Sequence, residues 1–76
     1  MNFKDEEERA KWIIGRAKYF TTVRFKDRKY ERQEHETLEL ARAEGRRIVS
    51  EDKSKPVMIY AVAANDSSAW VENIYG

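Results

Sequence analysis

Apolar residues recur along this chain first at helical spacing and then at every second position, and the second half repeats that order. Ala10, Ile13, Ile14 and Ala17 are separated by three- and four-residue steps, which places them on one stripe of a helix with Trp12 at its margin. Asp5 is a good N-cap, and Glu6, Glu7 and Glu8 behind it favour the positive end of the helix dipole. The spacing predicts a helix over about 5 to 16, weakened at its end by Gly15.

From Tyr19 the period becomes two. Tyr19, Thr21, Val23 and Phe25 fall on one side of a strand, and Phe20, Thr22, Arg24 and Lys26 on the other. Asp27 and Arg28 fit a tight turn, although the glycine that favours a two-residue hairpin loop is absent. The following KYERQEH reads as a polar strand at a sheet edge, where charge opposes edge-to-edge pairing.

Thr37 offers a second N-cap, and Leu38, Ala41, Gly45, Ile48 and Val49 line one face of a helix over about 38 to 50. Glycine inside a helix costs about 1 kcal/mol relative to alanine, so Gly45 points to close packing on a sheet. SEDKSKP forms a polar loop. VMIYAVAA, apolar on both faces, suits a central strand; NDSS turns the chain into AWVENIY, where Trp70, Glu72 and Ile74 alternate with Val71, Asn73 and Tyr75. The order predicts an α+β fold in one domain, 1–76: an N-terminal helical segment (1–18), then a ββαββ unit (19–76) with a four-stranded, mostly antiparallel sheet and a helix packed on one face. Three places are open to the first helix: the other face of the sheet, beside the second helix, or a neighbouring subunit.

Composition makes this a thin-cored domain. Leu, Ile, Val and Phe number 15 of 76 residues, while a net charge of +1 and nine aromatics oppose disorder. Without cysteine there is no disulfide or thiolate metal site, so stability rests on the small core or on a partner subunit, and a homodimer is plausible. MNFKDEEERAKW carries no apolar signal core, and VMIYAVAA is too short to span a bilayer, so a soluble, cytoplasmic protein without a membrane partner is expected. Asn65, Asp66 and Ser67 spell a glycosylation acceptor, read here as a turn.

Enzymatic signals are weak. HETLE resembles the opening of a zinc-protease motif, but Glu39 replaces the second histidine, and His35 precedes the cap Thr37, so the two do not share a helical face. The glycines stand apart at 15, 45 and 76, which excludes a phosphate loop, and Ser50, Ser54, Ser67 and Ser68 lack a nucleophile-elbow context. No catalytic residue, cofactor, metal or small-molecule substrate is expected.

Two binding surfaces remain. Arg24, Lys26, Arg28, Lys29 and Arg32 gather on the first hairpin, with Phe20 and Tyr30 nearby to stack on bases, which suits nucleic acid. Interleaved Asp27, Glu31 and Glu34 reduce residues 24–35 to a net +2, and the sequence pI of about 8.0 is below that of dedicated binders. Residues 56–76 carry Asp66 and Glu72 against no lysine or arginine, a net −2, together with Tyr60, Trp70 and Tyr75, types enriched at protein interfaces. With Trp12, these three are the protein-interface candidates.

YFTTVRF, a charged second strand, HETLELARAEGRRIV, VMIYAV and a closing NIYG resemble small bacterial and phage proteins of unknown function built as two hairpins around one helix. The resemblance covers about residues 19–76, with TLELA and the final Tyr-Gly as its specific points, and transfers no catalytic residue. A non-catalytic interaction module acting through a protein surface is the expected function, and a weak nucleic-acid binder using the first hairpin is the alternative.

Overall fold

A computed structural model of the chain describes residues 5–76. The part of the expected helical segment at 1–4 lies outside the described residues. Helix α1 (Glu6–Gly15) starts at Asp5, which is extended and whose carboxylate accepts from the Glu8 N–H at 2.8 Å. The N–H of Arg16 closes its last turn on the Ile13 carbonyl at 3.1 Å. The helix thus stops at Gly15, and strand β1 (Ala17–Lys26) begins two residues ahead of the alternating run. A register shift between Ala17 and Tyr19 brings the chain into phase.

Asp27 and Arg28 turn β1 into β2 (Lys29–His35) with φ of 53° and 66°. Two successive positive φ values mark the mirror-image turn whose twist matches a hairpin, so strand geometry prevails over the missing glycine. Thr37 caps α2 (Leu38–Glu51), its hydroxyl accepting from the Leu40 N–H at 3.2 Å. Strand β3 (Val57–Ala63) and strand β4 (Ser68–Ile74) form the second hairpin. The acceptor sequence lies in its turn: Asn65 Oδ1 accepts from the Ser67 N–H at 3.1 Å, and Asp66 has φ 67°.

All neighbouring strands are antiparallel in the order β2-β1-β3-β4. The strand that is apolar on both faces is therefore central and the charged one is at an edge. The fold is α+β, with ββαββ order after the first helix.

Both helices cover the same side of the sheet. Along β3, Val57 lies against Gly45 of α2, while Ala61 and Ala63, an even number of residues further on, pack with Ile13 of α1 and Ala69 of β4. The two contacts are complementary in size. Where α2 approaches, the small residue is on the helix: a Cβ on Gly45 would sit 3.1 Å from Ile74 Cγ1 and 3.6 Å from Val57 Cγ1. Where α1 approaches, the small residues are on the sheet, and alanines form the floor under a fully buried Ile13. Helix α1 thus takes the same sheet face as α2, but further along β3, where it packs on β3 and β4.

Candidate functional site

That arrangement leaves the opposite side of the sheet without a helix. Register assigns it Tyr19, Thr21, Val23 and Phe25 from β1, Tyr30, Arg32 and Glu34 from β2, Met58, Tyr60 and Val62 from β3, and Ser68, Trp70 and Asn73 from β4. Tyr75 joins them through a hydrogen bond from Asn73 Nδ2 to its hydroxyl at 3.1 Å. Six of the nine aromatic side chains in the sequence, Tyr19, Phe25, Tyr30, Tyr60, Trp70 and Tyr75, thus share one uncovered face.

Its charge is equally distinctive. Among the residues that cross-strand register places on this face, Arg32 and Glu34 are the charged ones and cancel, while the exposed Lys18 lies at the β1 bulge beside Tyr19 and Glu34. The register-paired rows of the face are thus neutral in a chain of which 38% is charged. Thr21 and Val62 are buried although no helix lies over them. Thr21, Val23, Arg32, Tyr60, Val62 and Ser68 line a shallow depression there.

The rings are held in place. Phe25 and Tyr30, directly paired across the first hairpin, have centroids 4.8 Å apart with planes tilted by 51°. Trp70 Nε1 donates to Asn73 Oδ1 at 2.8 Å, so the indole N–H is satisfied within the chain. The Tyr60 hydroxyl points to Met58 Sδ at 3.9 Å. Rings whose polar tips are already partnered can be covered by another apolar surface at small desolvation cost.

Of the interface candidates, Tyr60, Trp70 and Tyr75 come together on this face. Trp12 does not: it packs with the Ile13 cluster on the helix side, with the Arg16 guanidinium 4.8 Å from its ring centroid. The nucleic-acid candidates also divide. Arg24 points under α2 and is buried, its Nη1 donating to the Asp52 carbonyl at 3.2 Å and its Nη2 lying 3.7 Å from Glu31, with Nε left without a partner. Lys26 forms an ion pair with Asp52. Arg28, Lys29 and Arg32 are exposed. Phe20 lies on the helix side against the Ile13 cluster, so of the two stacking candidates only Tyr30 is on the uncovered face. Tyr19 and Phe25, assigned to one strand side by alternation, were not distinguishable as surface residues until the helices had taken the other.

His35 ends β2 and Thr37 caps α2, so HETLE is split between elements; the imidazole Nε2 lies 3.0 Å from Thr22 Oγ1. Among the described residues no group of His, Cys, Asp and Glu is arranged to hold a metal ion. Beside His35, an open groove between β2 and α2 contains Leu40, Glu44 and Arg47. Hydrogen bonding from Arg47 is the main cause holding the Glu44 carboxyl below its ordinary range, assisted by Gln33 and opposed by burial. Glu44 raises the Arg47 guanidinium in return, and Glu72 raises that of Arg42, to which it binds at 2.7 Å and 3.1 Å. These groups are saturated by one another: Arg42–Glu72 ties α2 to β4, whereas Glu44–Arg47 is a pair within α2.

No helix is long and apolar enough to cross a membrane among the described residues. Comparison with protein-family models, curated proteins and solved structures finds no match.

Proposed function

We propose that the protein is a non-catalytic interaction module whose working surface is the uncovered sheet face. The observation that carries this reading is the gathering of six aromatic side chains on a face, neutral in its paired rows, that neither helix covers. Tyrosine and tryptophan supply large contact area at low entropic cost, and charge depletion is the mark of an interface core. A photo-crosslinking residue placed at Tyr30 or Trp70 in living cells is expected to capture protein, whereas the same residue at Glu39 or Arg46, exposed on α2, is not. Equal capture from all four positions, or none from the sheet, overturns the reading.

A second reading, nucleic-acid binding, is supported by Arg28, Lys29 and Arg32, exposed beside the Phe25–Tyr30 pair. Three phosphate contacts give a log–log salt slope of only about −3 on duplex DNA, so such binding would be weak and measurable at low salt. Neutralising these three cations should abolish it, while Lys26→Gln should leave it unchanged; no binding at low salt removes this reading.

A further inference from the structure

The partner that the uncovered face fits best is a second copy of the same chain. Resting on the interaction-module reading, we propose that two protomers pack sheet against sheet through this face, about a two-fold axis that runs across the strands. The helices are then on the outside, and the aromatic faces form a shared core.

Area is the first argument. Phe25, Tyr30, Trp70 and Tyr75 are 46, 69, 53 and 70% exposed. At about 200 Å² per ring they contribute on the order of 500 Å², and the half-buried residues between them raise the face to about 600–800 Å². Two such faces bury about 1,200–1,600 Å², which is the size of a specific interface.

Charge is the second. The paired rows carry one arginine and one glutamate, two residues apart on the same strand, and so present no net charge to their own copy. They provide almost nothing for a row of phosphates. An axis between these two residues places Arg32 opposite the partner's Glu34 twice over. An axis along the strands would instead stack β2 on the other edge of the partner and leave both charges buried without counter-ions, at a cost of several kcal/mol each in order of magnitude.

Register supplies the third. Cross-strand pairing puts Arg32, Val23, Met58 and Asn73 in one row across the sheet, and Glu34, Thr21, Tyr60 and Trp70 in the adjacent same-face row. The axis between the rows lays each on the other. Met58 meets the partner's Tyr60, Val23 meets the partner's Thr21, and the smaller Asn73 meets the partner's Trp70. The largest side chain, Trp70, is thereby set against the smaller Asn73, and Val23 against the near-isosteric Thr21, which suits interdigitation of aligned sheets at about 10 Å.

Sedimentation equilibrium of the full chain from about 1 µM to about 1 mM covers the affinities that interfaces of this size show. The expected mass rises to twice the 9.0 kDa of one chain. Trp70→Lys and Tyr30→Lys, both at exposed positions, should keep the circular dichroism spectrum and weaken association by more than about tenfold. Arg32→Glu should also weaken it, and adding Glu34→Arg should restore it. A monomer at every concentration, a dimer indifferent to Trp70→Lys, or a charge swap without recovery overturns the proposal. A monomer whose Tyr30 and Trp70 still cross-link to another protein in cells sinks self-association alone, whereas cross-links to nucleic acid sink both readings.

Discussion

Arg28 shows how a single residue accepts strain that the element around it imposes. Left-handed backbone costs a side-chain-bearing residue about 1–2 kcal/mol, and both turn residues adopt it, with Arg28 at φ 66°. Asp followed by Gly is a preferred pair for this turn, so Arg28→Gly should stabilise the fold by about 0.5–1 kcal/mol, read as a higher urea midpoint at unchanged m-value. Glu44 gives a second residue-scale expectation. Its carboxyl is held below the ordinary range in the folded chain, so the stability it contributes is present above the carboxylate range of the unfolded state. That stability is lost as pH falls through the lowered folded value. The difference in urea midpoint between wild type and Glu44→Gln should therefore shrink from pH 7 towards pH 3, and shrink at high salt too, since the partner Arg47 is half exposed. A difference independent of pH would count against the pairing.

At the scale of elements, the helices are placed by the distribution of small residues. Gly45 lets α2 settle on Val57 and Ile74, and Ala61, Ala63 and Ala69 do the same for Ile13 on α1. Gly45→Ala gains about 1 kcal/mol of helix propensity and needs Ile74, a part-exposed residue at a strand end, to yield a few tenths of an ångström, so its net effect should be small. Gly45→Leu cannot be accommodated that way and should destabilise by about 1–3 kcal/mol, measured by thermal or urea unfolding. Caps and alternation were legible from sequence because they are local: Asp5 and Thr37 cap α1 and α2 as their side chains dictate. The bulge at Lys18 was not legible, because it depends on how Ala17 pairs with Ala63 across the sheet.

For the whole molecule, a single layer of helices on a sheet whose central strand is apolar on both faces leaves burial incomplete. Among the described residues the buried core is small, with four alanines among its nine hydrophobic members. Much of the aromatic area that would stabilise a domain of this size lies on the open side. A covering partner adds stability by mass action, so the thermal midpoint of the wild type should rise with protein concentration, and that of Trp70→Lys should not. The amino-acid sequence by itself determined the elements, their caps, the central and edge roles of the strands, and the close approach at Gly45, since each follows from residue spacing and local hydrogen bonding. Only the tertiary structure decided that both helices share one face. That choice buried Arg24, separated Trp12 and Phe20 from the other aromatics, and gathered Tyr19, Phe25, Tyr30, Tyr60, Trp70 and Tyr75 on the other side. Alternation divides a strand into two faces, but which face is covered depends on the fit of distant side chains, where Ile13 found its alanine floor.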